Sequence, residues 1–200
     1  MERIIIRMLF DKQINKKYYR FHLFRKSFTF YLILLTGLFV VYLAVKNTFM
    51  ATDSEEVQSL SSMIMIWGLA FFALVLAPSF MFWRINSLVK KEAKKRGDKE
   101  EYISITKEKI ERRIDGQDKL VFGWNNIVDI RELEDMFLLY VDTESAVVVS
   151  KHHMIEGSPE VLRSLIEKYG PKDKKGKLKY KVHMKGYKKP KKVKKEKNDK

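Results

Sequence analysis

Two long uncharged runs dominate the hydrophobic pattern of the chain. Residues 63–83 contain no charged side chain, and ten of these twenty-one positions are Ile, Leu, Phe or Val. A helix of that length extends about 31 Å, which matches the thickness of a bilayer hydrocarbon core. Residues 28–45 form a second uncharged run of eighteen positions, long enough to span as a helix. The pattern predicts a hairpin of two transmembrane helices.

After residue 98 the pattern changes to short runs of alternating polarity, which are typical of β-strands. Turn-forming residues separate six predicted strands, at 102–105, 109–114, 120–124, 127–133, 136–141 and 146–149. We expect these strands to form an antiparallel meander. Ser158 as N-cap, Pro159 as first helical residue and Gly170 as stop signal predict one closing amphipathic helix.

Two further segments have strand character outside this domain. Residues 3–9 are rich in β-branched side chains, and two spans would return the chain to its starting side, so we expect them to pair with a strand of the 100–150 region. Residues 177–185 alternate strictly in polarity. The segment either adds to a sheet edge or lies on a membrane, and a chance alternation in a Lys-rich sequence is the third alternative. Asp11 can cap a helix that either approaches the lipid headgroups or packs on the protein itself.

The distribution of basic residues predicts the orientation of the hairpin. Eight Lys or Arg precede the first span and six lie within residues 84–96, whereas the connecting segment has one Lys against three acidic residues. The positive-inside rule therefore places both termini in the cytoplasm. The predicted organisation is an N-terminal strand and amphipathic helix, a first span, an extracytoplasmic loop, a second span, a basic linker, a cytoplasmic domain and a Lys-rich tail, at residues 1–27, 28–45, 46–62, 63–83, 84–98, 99–170 and 171–200.

The order of these elements, with WNNI at 124–127, MFLLY at 136–140 and AVVVSK at 146–151, resembles the YcxB-like family of bacterial membrane proteins. The resemblance implies a multi-pass protein of the bacterial cell membrane, with Trp124 and Ile127 as the domain motif. It also implies a membrane α+β fold, in which a PH-like antiparallel β-sheet or split barrel is closed by one C-terminal helix. The family pattern usually has Pro at the position of Ser150. The implied role is binding or scaffolding.

Residues with catalytic or metal-binding chemistry are sparse. The chain has no cysteine, which excludes disulfides and thiolate metal sites. His152 and Glu156 would lie one helical turn apart, but no third metal ligand is evident. Glu132 is expected on a solvated strand face, and Trp124 is expected as a core anchor in preference to a ligand-stacking ring. We therefore expect no enzymatic activity, no cofactor and no metal.

The Lys-rich tail points to an anionic partner. Residues 171–200 hold fifteen Lys against three acidic residues. We expect anionic phospholipid as the partner, alongside a protein partner that the sequence does not identify, and a tail that only adds solubility is the plain alternative. A tether for nucleic acid or ribosomes is less favoured because the tail has no Arg, and a membrane-embedded hydrolase lacks a nucleophile and base. The expected lipid-contacting residues are Lys90, Lys91, Lys94, Lys95, Lys177, Lys179, Lys181, Lys185, Lys188, Lys189, Lys191 and Lys192.

The predicted topology can be measured by accessibility labelling. Because the chain has no cysteine, single substitutions Thr52→Cys and Asp142→Cys each introduce one reactive thiol. A membrane-impermeant thiol reagent applied to intact cells should label position 52 and leave position 142 unlabelled until the cells are opened. Labelling of position 142 with protection of position 52 would contradict the hairpin orientation.

Overall fold

The computed structural model of the chain describes residues 3–25, 28–49 and 60–184. The chain divides into two compact units, which we call the β unit (Met1–Arg7 with Glu101–Lys200) and the helical unit (Met8–Glu100). Most of the predicted extracytoplasmic loop, and the part of the tail from residue 185 onward, lie outside the described residues.

The helical unit contains the two predicted spans. Helix α1 covers Lys12–Arg25 and helix α2 covers Phe28–Phe49. A continuous helical segment follows, made of α3 (Leu60–Phe71), a π-helical turn (Phe72–Leu76) and α4 (Ala77–Arg96). Helix α2 and the segment Ser61–Arg96 are long and apolar enough to cross a membrane, and only 11% and 6% of their apolar windows are buried within the protein. Their apolar side chains therefore face outward.

Small residues bring the two long helices together. A Cβ atom at Gly37 would lie 2.6 Å from Leu74 Cδ2 and 3.3 Å from Ala73 Cβ, so the backbone of α2 approaches the second helix closely there. Gly37 of the first span therefore packs against Ala73 of the second span. Trp67 Nε1 also donates a hydrogen bond to Thr48 Oγ1 at 3.2 Å.

The π-helical turn explains how the second span accommodates proline. Pro78 has no N–H, and its ring clashes with the carbonyl four residues earlier, at Leu74. The helix widens before this position, where the Ala77 N–H donates to the Phe72 carbonyl five residues earlier. The π-helical turn thus lies directly before the proline-containing turn of α4.

Helix α1 packs on α4 inside the helical unit. Its buried residues Ile14 and Tyr18 are four positions apart, as are Ile85 and Val89 of α4, so each helix presents one apolar stripe. Asp11 caps α1, because its Oδ1 accepts hydrogen bonds from the backbone N–H groups of Gln13 and Ile14 at 2.7 and 3.1 Å. The apolar stripe of α1 is thus covered by protein.

The β unit consists of two sheets and one helix. The first sheet has the order β4-β3-β2-β1-β8 and the second has the order β7-β6-β5-β9. In the described residues neither sheet closes into a barrel. Helix α5 covers Pro159–Tyr169 and begins at the predicted Ser158 cap. The strands β1 to β9 are Ile4–Met8, Glu101–Ile105, Lys109–Ile114, Leu120–Gly123, Asp129–Glu132, Met136–Tyr140, Ala146–Ser150, Met154–Glu156 and Tyr180–Val182.

The prediction of one continuous meander is wrong. Strands β2 to β4 and strands β5 to β7 form two separate antiparallel groups. The link between the groups is a 3₁₀ turn at Trp124–Asn126 and not a hairpin, and Asn126 Oδ1 accepts a hydrogen bond from the Gly123 N–H at 2.9 Å. This side-chain contact fixes a helical turn, so β4 and β5 do not pair.

The N-terminal strand lies inside the first sheet, between β2 and β8. Its pairing with the 100–150 region is therefore confirmed, and its alternate side chains Ile4, Ile6 and Met8 are buried. Strand β8 was not predicted, because three residues are too few to show a period. It pairs antiparallel with β1, with Ile6 opposite Met154.

Strand β9 settles the choice that the sequence leaves open for residues 177–185. Tyr180–Val182 pairs in parallel with β5, with Ile130 opposite Tyr180 and Glu132 opposite Val182. The His183 N–H donates to the Glu132 carbonyl at 2.7 Å. The segment therefore adds to a sheet edge.

The contribution of the N-terminal strand can be measured with one matched pair of variants. Ile6 is 0% exposed and Ile155, on the neighbouring strand β8, is 66% exposed. Ile6→Ala should lower the free energy of unfolding by about 2–4 kcal/mol because it leaves a cavity, and Ile155→Ala by about 0.5 kcal/mol or less. Urea unfolding of the full chain in a non-ionic detergent measures both. Equal losses would contradict the placement of β1 inside the sheet.

Candidate ligand-binding groove

A buried carboxylate holds the second sheet and α5 together. Glu132 ends β5 and is 0% exposed, because it lies on the same strand face as the buried Ile130. Lys151 Nζ donates to Glu132 Oε1 at 2.6 Å, and Arg163 Nη2 donates to the same oxygen at 2.7 Å. The Tyr180 hydroxyl donates to Oε2. The carboxylate thus joins β9, α5 and the turn after β7.

These partners keep Glu132 ionised. Burial alone raises the pKa of its carboxyl group, but hydrogen bonds from Arg163, Lys151 and Tyr180 lower the pKa by more, so it lies below its ordinary value. The same contact raises the pKa of the Arg163 guanidinium. An ionised carboxylate with this many donors is suited to holding structure and not to donating a proton.

The prediction of a solvated Glu132 is therefore wrong. The sequence did contain a signal for burial. Ile130 and Glu132 are two positions apart in an alternating strand, so their side chains point to the same inward face. The neighbouring Glu134 is exposed in the turn before β6.

A groove of about 530 Å³ lies between the 3₁₀ turn, the end of α5 and the segment before β9. Trp124 and Ile127 line one side, and Tyr169 lies at the end of α5. The lining is Trp124, Asn125, Ile127, Val128, Lys168, Tyr169, Gly170, Pro171, Lys172 and Lys179. It combines aromatic rings with three ammonium groups.

Trp124 is mainly a core anchor, as predicted. Its side chain is buried, and its indole N–H donates to the Thr106 carbonyl at 2.9 Å. Its ring centroid lies 6.3 Å from that of Tyr169. Because Tyr169 is 42% exposed, its ring is the aromatic surface available to a ligand in the groove.

A tight turn positions two of the lysines. The backbones of Lys172 and Leu178 form an isolated antiparallel β-bridge. The Lys179 N–H donates to the Pro171 carbonyl at 2.7 Å. Asp173 Oδ1 accepts from the N–H groups of Lys175 and Lys177 at 2.9 and 2.8 Å, and Gly176 adopts a positive φ of 74°. These contacts define a tight turn over residues 171–179. It places Lys172 and Lys179 beside each other on the groove.

The predicted lipid-contacting lysines are distributed over several elements. Lys90, Lys91, Lys94 and Lys95 lie on α4, Lys177 lies in the turn, and Lys181 is exposed on β9. Of that set, Lys179 lies in the groove together with the domain-motif residues Trp124 and Ile127. Sequence reasoning missed Lys168, Tyr169 and Lys172. Lys185, Lys188, Lys189, Lys191 and Lys192 lie outside the described residues.

The histidine pair does not have metal-site geometry. The predicted spacing needs a helix, but Met154–Glu156 is a strand, so His152 and Glu156 do not share a helical face. His152 Nε2 lies 3.7 Å from Asp135 Oδ1, and His153 Nδ1 lies 2.8 Å from Ser150 Oγ. Among the described residues, no three His, Asp or Glu side chains form a group that could hold a metal ion.

Comparison with known proteins gives one match, to a family model that covers part of the chain. The family model described as YcxB-like protein matches residues 105–166. The resemblance is confirmed over this segment, which includes Trp124, Glu132, Lys151 and Arg163. Tyr169 and the β9 segment lie beyond the match. Neither the curated proteins nor the solved structures yielded a match.

The Glu132 cluster predicts a specific dependence of stability on pH. Glu132→Gln should lower the free energy of unfolding at pH 7 by about 2–3 kcal/mol, because two cations and a hydroxyl lose an ionised acceptor. Since the folded pKa is lowered, this stabilisation is complete above about pH 4.5, the ordinary value, and is lost as pH falls through the folded pKa. The variant should lack this loss below pH 4.5.

The measurement is the urea midpoint of the full chain in a non-ionic detergent, at a series of pH values from 3 to 7. Glu134→Gln, two residues away on an exposed side chain, is the matched control and should behave as the native chain. Equal midpoints for the two variants at pH 7 would show that the buried carboxylate is not a stabilising contact.

Proposed function

We propose that this chain is a non-enzymatic integral membrane protein, with two spans, cytoplasmic termini and a PH-like β unit that acts as a binding module. The observation that carries the proposal is the exposure of the two apolar helices. Phe39, Leu69 and Phe80 are each more than half exposed, and at most 11% of either apolar window is buried within the protein. Such a surface is unfavourable in water, whereas a bilayer core covers it.

The groove of the β unit is the proposed binding site. Lys172 and Lys179 form no ion pair with any other described residue, so their ammonium groups are available to a ligand. Lys168 adds a third positive charge, and Tyr169 offers an exposed ring. This combination fits an anionic ligand, such as a phosphate ester, that also carries a flat apolar part.

Binding without catalysis is supported by the chemistry of the lining. The groove residues supply ammonium groups, an amide and aromatic rings, and none of the lining residues is a carboxylate or an imidazole. Such groups hold and orient an anion, but general acid–base catalysis needs a group that gains and loses a proton near neutral pH. The buried carboxylate of Glu132 does not line the groove and accepts hydrogen bonds from Lys151 and Arg163.

The Lys-rich tail remains part of the proposal through its charge. Each Lys close to an anionic leaflet contributes about 1 kcal/mol, within a screening distance of about 8 Å. Residues 171–200 carry fifteen Lys, so the tail fits attachment to anionic phospholipid.

The groove proposal can be tested with phenyl phosphate, whose ring matches Tyr169 and whose phosphate matches the lysines. Isothermal titration calorimetry of the full chain with phenyl phosphate, in a non-ionic detergent at low salt, should show saturable binding. Phenol should bind much more weakly. The double variant Lys172→Gln with Lys179→Gln should weaken binding about tenfold, because each partly exposed ion pair contributes about 0.7 kcal/mol.

The matched control is Lys174→Gln with Lys175→Gln, which removes the same charge from the same turn outside the groove. It should change the dissociation constant by less than twofold. Equal weakening by both double variants, or the absence of saturable binding to the native chain, would refute the groove as the binding site.

A further inference from the structure

A second basic groove lies within the helical unit, between α1 and α4. Its volume is about 450 Å³, and its lining is Lys12, Gln13, Lys16, Asn86, Val89 and Lys90. The buried side chain of Val89 forms part of the apolar floor. Three ammonium groups and two side-chain amides surround it, so the rim offers only cations and amide groups that can donate hydrogen bonds.

The lysines of this groove are free to bind a ligand. None of Lys12, Lys16 and Lys90 forms an ion pair with any other described residue. The nearest acidic group on α4, Glu92, is already engaged, because its Oε2 accepts from the Tyr19 hydroxyl at 3.0 Å and its Oε1 from Arg96 Nη2 at 3.0 Å. Burial and the nearby Glu92 raise the pKa of Tyr19 to about 12, so Tyr19 stays a neutral donor.

Along α4, the groove lies close to the outer edge of the predicted headgroup layer. Arg84 is the first charged residue after the apolar run, and Lys90 follows it by six residues, which is about 9 Å of helix. The polar layer on each side of the hydrocarbon core is about 5–8 Å thick. Lys side chains extend their ammonium groups toward such a layer while their stems cover apolar surface.

The two helices present the groove as a fixed site. Packing of Ile14 and Tyr18 of α1 and of Ile85 and Val89 of α4 keeps both backbones in place. Phe24 also lies 5.6 Å from Phe82, measured between ring centroids. The three lysines therefore converge without the ordering cost of a flexible tail.

We infer that the groove between α1 and α4 binds the headgroup of an anionic phospholipid through Lys12, Lys16 and Lys90. The inference rests on the proposed insertion of the helical unit in a membrane. It differs from attachment through the Lys-rich tail, because it assigns lipid selectivity to a structured site. Lys91, Lys94 and Lys95 carry the same charge on α4 but do not line the groove.

The test uses native mass spectrometry of the full chain in detergent, with phosphatidylglycerol and phosphatidylcholine of identical acyl chains. The native chain should retain phosphatidylglycerol at least tenfold more tightly. The triple variant Lys12→Gln, Lys16→Gln and Lys90→Gln should lose this preference, whereas the corresponding Lys→Arg triple should keep it. The charge-matched control Lys91→Gln, Lys94→Gln and Lys95→Gln, and a chain shortened to residue 184, should change it by less than twofold.

Several outcomes would overturn the inference. If both Lys→Gln triple variants lost the phosphatidylglycerol preference equally, the preference would come from diffuse positive charge and not from the groove. If removal of residues 185–200 abolished the preference, it would come from the tail. Displacement of the lipid by equimolar glycerol 3-phosphate would assign the groove to soluble phosphate esters. Release of the native chain from membranes by alkaline carbonate would refute membrane insertion itself. If the chain stayed in the membrane but both Lys→Gln triple variants lost the lipid preference equally, only the groove site would be refuted.

Discussion

The β unit depends on keeping one carboxylate charged in a place that water does not reach. Glu132 is fully buried, and an ionised carboxylate in such a place is costly unless donors surround it. Its donors come from the turn after β7, from α5 and from β9. All three elements must be in place together, because the loss of any one leaves part of the charge uncompensated. A polar contact of this kind ties distant segments into a single arrangement.

The geometry of the groove follows from this contact. Arg163 fixes α5 against Glu132, and the last turn of the same helix carries Lys168 and Tyr169. Tyr180 fixes β9, and the residue directly before it, Lys179, reaches the groove. Lys168, Tyr169 and Lys179 therefore come together because buried contacts with Glu132 fix α5 and β9, the elements that carry or adjoin them. The side chains that line the groove lie at the surface, and buried contacts set the positions of the elements that carry them.

The helical unit is not organised around a buried charge. Its apolar side chains face outward and its contacts are made by small residues such as Gly37 and Ala73, so packing and not burial of charge brings the helices together. Along the second span, charged residues appear only past Trp83, where α4 continues as a polar helix covered by α1. The basic groove arises at this transition, since one face of each helix is apolar and buried while the lysines remain on the rim.

The sequence by itself determined the elements whose signals are local. The two uncharged runs, the six strands and the helix from Pro159 to Tyr169 follow from periodicity and from caps such as Ser158. Only the tertiary structure decided how those elements meet: the division into two sheets, the short strand β8, the parallel pairing of β9 with β5, and the convergence of Lys168, Tyr169, Lys172 and Lys179. The inward parity of Glu132 was readable, but its partners lie 19, 31 and 48 residues away. Alternation along a strand shows which face of the sheet a side chain occupies. Contacts between distant segments decide which element covers that face, and therefore whether a buried charge finds hydrogen-bond donors.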